Sequence, residues 1–278
     1  MSWVGKYMVK HRPTLAQGQG LGNGIRKVSL GVVGMALFFL AWGAGGYLIF
    51  SRPQFTQFSG FLPGATLQAM SGLLVDHEFW PSVLASLRRI FVGIGTALVL
   101  GLPFGLLIGY FRTLRIITYT PIQFVRMISP LSWMPIALLI FSTFESAIYF
   151  LITMATVWPI ILNSSLGVSR VNPQWVRMAK NQGANDIQVL WHVILPASIP
   201  YILTSLRLAL GVAWIVLVPV EFLGISSGLG YIINDARDTM EYDRLMAIVL
   251  AIGVIGFCLD GSIQLVQKLF RWSWVNSG

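Results

Sequence analysis

The chain has 278 residues, of which 55% are hydrophobic and only 10% charged, with a mean hydropathy of +0.73. A soluble domain carries roughly 25% charged residues and could not bury so much apolar surface, so the composition excludes the soluble globular class and selects an integral membrane protein. The net charge of +9 does not point to nucleic acid: no dense basic run with interleaved aromatics occurs, and in a membrane chain Lys and Arg set orientation and meet anionic lipid headgroups.

Residues 1–27 read as a polar tail. Its "GQGLGNG" stretch (Gly18–Gly24) has GxGxG spacing, but no strand precedes it and no amphipathic helix follows, so it reads as a flexible linker and not a nucleotide loop. The first apolar run, 28–50, is longer than a signal-peptide core and no small-x-small cleavage pattern follows it, which predicts a retained anchor. Further apolar runs predict spans at 83–110, 115–142, 145–168, 198–222 and 244–268, giving an all-α membrane protein with about six transmembrane helices. In the second span Gly101, Gly105 and Gly109 recur every four residues and place a small-residue face where another helix can approach. The third span carries Pro121, Pro130 and Pro135, and the fourth carries Trp158-Pro159. Each proline removes a helix donor, so these are either static kinks or a helix pair lining a transport path. The lone Cys258 can form no intrachain disulfide and reads as a small buried apolar side chain, and His11, His77 and His192 have no metal-ligand spacing.

Charge asymmetry orients the spans. With the N-terminus inside, the inner segments hold Lys6, Lys10, Arg12, Arg26, Lys27, Arg112, Arg115, Arg170, Arg177, Lys180, Lys268 and Arg271. The outer segments hold Arg52, Arg88, Arg89, Arg237 and Arg244. Twelve against five favours both termini on the cytoplasmic side, with 51–82 an extracytoplasmic loop and 271–278 a short cytoplasmic tail.

Between the fourth and fifth spans lies the polar stretch "NPQWVRMAKNQGANDIQVLWHVILPASIP", 172–200. Asn172-Pro173 has the form of an N-cap followed by proline at the first helical position, and Gly183 is a natural left-handed stop. A second cap is expected at Asn185 or Asp186. The next helix sets Ile187, Leu190, Trp191 and Ile194 at i, i+3, i+4 and i+7, and Leu195-Pro196 ends it. Two helices this short are marginal alone in water. Such a pair either lies on the membrane surface or docks a soluble partner.

The segment from "AKNQG" to "VILP" resembles the EAA loop of binding-protein-dependent ABC importer permeases: Ala179, Gly183, Val193, Leu195 and Pro196 fall on that pattern. Arg177 stands at its glutamate and Met178 at its first alanine. "SLRRIFVGIGTALVLGLPFGLLIG", "VRMISPLSWMPIALLIF", "TVWPIILNSSLGV", "LPASIPYILTSLRLALG" and "EFLGISSGLGYIINDAR" are similar, in order, to the nitrate, sulfonate, taurine and bicarbonate group of these permeases. The resemblance covers about 79–270, and the permease core is expected at 83–270 with the EAA-like loop at 172–196. It implies a type I importer permease fold with a cytoplasmic coupling-helix pair, and alternating access driven from outside the chain. The implied partners are a second copy or a closely related permease, two ABC ATPase subunits, an extracytoplasmic substrate-binding protein and membrane lipid. ATP and magnesium would sit on the ATPases; no cofactor is expected on this chain, which contains no GxxxxGK[ST] loop. Arg177, Ala179, Gly183, Asp186, Ile187, Leu190, Trp191, Leu195 and Pro196 would form the ATPase-coupling surface. The periplasmic turn that closes near the pore mouth is expected at "GISSGLGYII", which equally suits a plain flexible turn.

Arg126 lies about 16 Å along a helix from Arg115, near mid-bilayer, and Arg207 lies at similar depth. Charges there face a bundle interior or an aqueous cavity, as structural hydrogen-bond donors or as a positive potential for a crossing anion. With Glu221 they are the expected path residues. Glu221 and Asp260 are also their candidate partners, and such pairing would weaken the case for an anion. The expected cargo is a small anion, nitrate or nitrite first, then bicarbonate, taurine or another sulfonate. A passive channel or ion-coupled transporter would explain the spans but not the polar helix pair, and an intramembrane enzyme would need more convergent polar residues than the spans supply.

Overall fold

The computed structural model describes residues 19–275. The expected tail at 1–27 lies outside the described residues up to 18, and the tail at 271–278 from 276 onward. Among the described residues every regular element is helical. The helices are α1 (Gln19–Phe50), α2 (Pro63–Leu73), α3 (Phe79–Tyr110), α4 (Arg112–Val125), α5 (Met134–Ile140) and α6 (Phe144–Ser169). They continue with α7 (Pro173–Asn181), α8 (Asp186–Val189), α9 (Leu195–Phe222), α10 (Leu229–Asp238) and α11 (Tyr242–Val275). Among the described residues five helical stretches are long and apolar enough to cross a membrane, or six if the bent pair of α4 and the stretch Pro130–Ile140 counts as one span.

The chain divides into two units, Met1–Gly64 and Ala65–Gly278. In the first, α1 is followed by a 3-10 stretch, Pro53–Phe61, and Trp42 Nε1 donates to the Phe61 carbonyl at 3.1 Å. The helix begins at Gln19 and so includes most of the glycine-rich stretch expected as a linker. Once a long apolar helix has nucleated, extending it costs little per residue, and this outweighs the poor propensity of glycine.

In the second unit α6 is the central helix, packed between α3 and α9. Ile90 and Ile94 of α3, Ile148, Leu151 and Ile152 of α6, and Leu210, Ala213 and Leu217 of α9 form the main buried cluster. The expected small-residue face is what allows the α3–α6 contact. A methyl at Gly105 would stand 2.7 Å from the Ile161 carbonyl oxygen, and one at Gly109 would stand 2.6 Å from Val168 Cβ. A second cluster joins Phe79 and Val83 to Leu229, Ile232, Ala247 and Ile248, seating α10 and α11 against the start of α3.

Three expectations change. The third span is not one helix: α4 and the stretch Pro130–Ile140 meet at 84°. Pro130 forces Ser129 into extended backbone, with φ −57° and ψ 131°, so the chain turns there. Pro159, by contrast, leaves α6 continuous from Phe144 to Ser169. Cys258 is exposed on α11, not buried; an apolar side chain on a membrane helix needs no protein around it.

Candidate functional site

The segment between α6 and α9 folds as two short helices, as the caps require. Asn172 Oδ1 accepts from the Gln174 N–H at 2.9 Å with Pro173 at the first turn. The helix ends at Gly183 (φ +88°), where the Gly183 N–H reaches the Lys180 carbonyl at 3.0 Å and the Ala184 N–H reaches the Ala179 carbonyl at 3.1 Å. These two bonds satisfy carbonyls that a helix end otherwise leaves bare, and the backbone angle they need is one glycine adopts without cost. Asn185 then caps α8 in a reciprocal box: its Oδ1 accepts from the Gln188 N–H at 2.8 Å, while Gln188 Oε1 accepts from the Asn185 N–H at 2.9 Å.

Asp186 ties three elements together. Its carboxylate accepts from Lys180 Nζ at 2.8 Å and from the Tyr110 hydroxyl at 3.0 Å, linking α7, α8 and the end of α3. The same bond from Lys180 raises the pKa of that ammonium above its ordinary value, so it stays charged throughout the physiological range. Below the caps, buried Val168, Val189 and Ile194 pack with Leu106, Val176, Ala179 and Leu190. The pair is therefore held on the foot of the bundle by caps, one exposed ion pair and a small apolar cluster.

The second helix does not stop at Leu195-Pro196. A π-helical turn, Leu190–Ile194, carries α8 directly into α9, and the Leu195 N–H reaches back to the Leu190 carbonyl. Pro196, which has no N–H to give, follows the π turn directly and does not end the helix. The extra residue of the π turn rotates the apolar stripe. Ile194 is buried and Leu190 half-buried, but Ile187 and Trp191 are exposed at 67% and 61%, and Val189 takes the buried place instead. From Asp186 to Phe222 the chain is one helical rod of 37 residues, about 55 Å long at an ordinary helical rise.

The outer face of α7 was not singled out from sequence. Trp175 and Met178 are more than half exposed there, and with Gln182 and His192 they border a shallow cavity of about 360 Å³. Arg177, at the expected glutamate position, is exposed and makes no ion pair among the described residues. The helical spacing of Trp175, Met178 and Gln182 was the available signal.

The three expected path residues have different surroundings. Arg126 closes α4 at the 84° break; it is exposed, and its guanidinium has no partner among the described residues. It borders a cavity of about 400 Å³ shared with Trp133, Met154, Trp158, Asn163 and Leu208. Arg207 is engaged in a two-pronged pair with Asp260, at 2.7 and 3.0 Å, and Gln264 donates to the same carboxylate. Glu221 is wholly buried.

Glu221 belongs instead to a network at the opposite end of the bundle from α7. Arg89, 1% exposed, donates to Glu221 at 2.7 Å, to Glu145 at 2.6 Å, and to the Ser227 carbonyl and hydroxyl at 2.9 and 2.8 Å. Glu221 also accepts from Ser86 and from the Gly230 N–H, and Ser86 accepts from the Leu229 N–H. Arg89 is thus no loop charge but the hub that fastens the turn before α10 to α3, α6 and α9. Gly228, at φ +110°, makes the turn close over it. The scarcity of acids in the apolar helices was the only sequence signal, since the partners lie far apart in the chain.

Comparison with known proteins agrees with this architecture. Residues 101–272 match the model of the binding-protein-dependent transport system inner membrane component family. The taurine transport system permease protein TauC of Escherichia coli is 31% identical over 251 residues, covering 87% of this chain and 89% of that one. The bicarbonate transport system permease protein CmpB of Synechococcus elongatus is 36% identical over 196 residues, covering 70% and 69%. Among solved structures, a bacterial ABC transporter involved in import of the acidic polysaccharide alginate aligns with a TM-score of 0.57 at 17% identity, covering 89% of this chain and 98% of that one. The inward-facing MetNI methionine ABC transporter aligns with a TM-score of 0.55 at 16% identity, covering 68% and 94%. The chain belongs to the binding-protein-dependent transport system inner membrane component family, and it is a multi-pass inner-membrane permease subunit of an ABC importer with the type I fold.

Proposed function

We propose that α7 and α8 receive the stroke of a separate ABC ATPase and pass it along α9 to a path for a small anion. The carrying observation is the capped pair on the foot of the bundle, whose second member is continuous with a membrane-spanning helix. A loose loop would absorb a push, whereas a rod anchored through Asp186 and the Val168–Val189–Ile194 cluster transmits it. Exposed Trp175 and Met178 on α7, with Ile187 and Trp191 at the start of the Asp186–Phe222 rod, supply apolar anchors of the kind that dominate protein interfaces. Two permease chains, identical or closely related, would form the pore above two ATPases that bind ATP and magnesium, and an extracytoplasmic binding protein would deliver cargo. The charge count of the segments supports both termini, and α7–α8, on the cytoplasmic side.

Of the expected path residues, Arg126 alone has no ion-pair partner among the described residues, since Arg207 is matched by Asp260 and Glu221 by Arg89. The names of the relatives, taurine and bicarbonate permeases, support a small anion as cargo. The test is co-purification of the chain with an ATPase, followed by ATP hydrolysis and uptake by that complex in vesicles. Gly183→Pro, which forbids the positive φ, and Leu190→Asp, which puts a charge into the apolar seat, should leave the spans inserted while uncoupling hydrolysis from uptake. Normal uptake in both variants, or uptake by the pure chain without an ATPase, would refute the coupling role.

A further inference from the structure

Another cavity lies at the foot of the bundle, between the end of α3 and the start of the Asp186–Phe222 rod, with a volume of about 500 Å³. Sites that enclose organic ligands span roughly 300–1,000 Å³. Leu102, Leu106, Leu107 and Phe111 form one wall, and Ile187 and Trp191 stand on the other. The polar side chains on its border are engaged with one another: Tyr110 donates to Asp186 at 3.0 Å, and Lys180 pairs with that carboxylate at 2.8 Å. The interior therefore favours a hydrocarbon chain over a polar ligand. Trp175 and Met178 border a different cavity, so the exposed apolar side chains of the foot present two faces.

Position and charge say what covers the face with Ile187 and Trp191. Its α3 wall is the end of a membrane-spanning helix, Phe79–Tyr110, so the cavity opens where hydrocarbon gives way to headgroups. Tyr110 and Trp191 are the residue types that collect at that level. The surroundings are cationic: the stretches 110–116 and 170–195 hold Arg112, Arg115, Arg170, Arg177 and Lys180 against one acid, Asp186. Arg112 directly follows Phe111 of the cavity wall, is exposed, and makes no ion pair among the described residues. Arg115 spends one N–H on the Gly109 carbonyl at 2.7 Å and is likewise without an acid. Cations beside an apolar slot at a membrane surface match a ligand with an anionic head and a hydrocarbon tail. We propose that the foot cavity between α3 and the Asp186–Phe222 rod holds an acyl chain of an anionic phospholipid, whose headgroup meets Arg112 and Arg115. The inference rests on the permease reading for the cytoplasmic placing of the foot. It gives Ile187 and Trp191 of the coupling surface to lipid and leaves Trp175 and Met178 to the ATPase.

The test uses the complex of this chain with its ATPase subunits, exchanged in detergent against an equimolar mixture of phosphatidylglycerol and phosphatidylcholine and then analysed by native mass spectrometry. Phosphatidylglycerol is expected to be retained at least about fivefold over phosphatidylcholine, the ratio that one arginine on an anionic headgroup gives. Leu107→Trp, which fills the slot from a half-exposed position, should remove the retained lipid while ATP hydrolysis continues. Arg112→Gln should bring the ratio of the two lipids close to one. Equal retention of both lipids by the wild-type complex would overturn the inference, as would retention unchanged by Leu107→Trp or a ratio unchanged by Arg112→Gln. Lipid held by the chain alone and lost in the complex would give the cavity to the ATPase and overturn it too. A complex that hydrolyses ATP but retains neither lipid overturns the inference alone. Failure to isolate any complex with an ATPase brings down the permease reading and the inference with it.

Discussion

At one end of the bundle Arg89 is 1% exposed and donates to two carboxylates and to Ser227; at the other, α7 and α8 rest on caps and three buried apolar residues while Trp175 and Met178 stand more than half exposed. Removing one partner from a buried charge network leaves an uncompensated charge, which makes the Arg89 end stiff and intolerant of change. The α7–α8 end keeps its internal geometry by local hydrogen bonds, each worth little, and leaves its apolar surface free for another chain. A permease built this way holds the turn before α10 still and leaves apolar side chains exposed on α7.

The comparison can be broken first at its strong side. Arg89→Ala should cost about 3–5 kcal/mol, because Glu221 remains buried without its cation; the denaturation midpoint of the purified protein checks this. Arg89→Lys should recover only part, since a single ammonium cannot serve Glu145, Glu221 and Ser227 at once. A wild-type midpoint for Arg89→Ala would mean that the network is ornamental. At the weaker side, Asn185→Ala removes the reciprocal cap and should cost about 1 kcal/mol locally, seen as amide exchange at Gln188 faster by about fivefold, with the overall midpoint hardly moved. The smallest effect is expected from Lys180→Ala. Its pair with Asp186 is exposed on both sides, so transport should stay within about twofold of wild type, as is usual for surface ion pairs. A large loss there would shift the weight of the foot from caps and apolar packing to charge.

Most of the architecture could be read along the chain because it depends on neighbours. Apolar runs give the spans, Gly101, Gly105 and Gly109 give the α3–α6 contact, and Asn172, Gly183 and Asn185 give the helix pair with its caps. The prolines of the third span announce a break, though they do not give its 84° angle. What escaped is of two kinds. The π turn at Leu190–Ile194 adds one residue to a helical register, and nothing local marks it, so the stripe of Ile187, Leu190, Trp191 and Ile194 splits into buried and exposed halves. The Arg89 network is long-range: Glu221 is 132 residues away in the chain and Glu145 is 56. A count of charges by segment therefore places Arg89 in a loop, and the same limit hides whether Arg207 or Arg126 keeps its charge for cargo. Arg207 meets Asp260 only once α9 and α11 are packed together.

The claim on which the account turns is that α7, and not the Arg89 end, meets the ATPase. Single cysteines placed in a Cys258→Ser background, at Met178 on α7 and at Asp238 at the end of α10, allow a direct comparison by cross-linking to the ATPase subunit in native membranes. The account predicts an adduct from Met178→Cys and none from Asp238→Cys; an adduct from Asp238→Cys with none from Met178→Cys would contradict it.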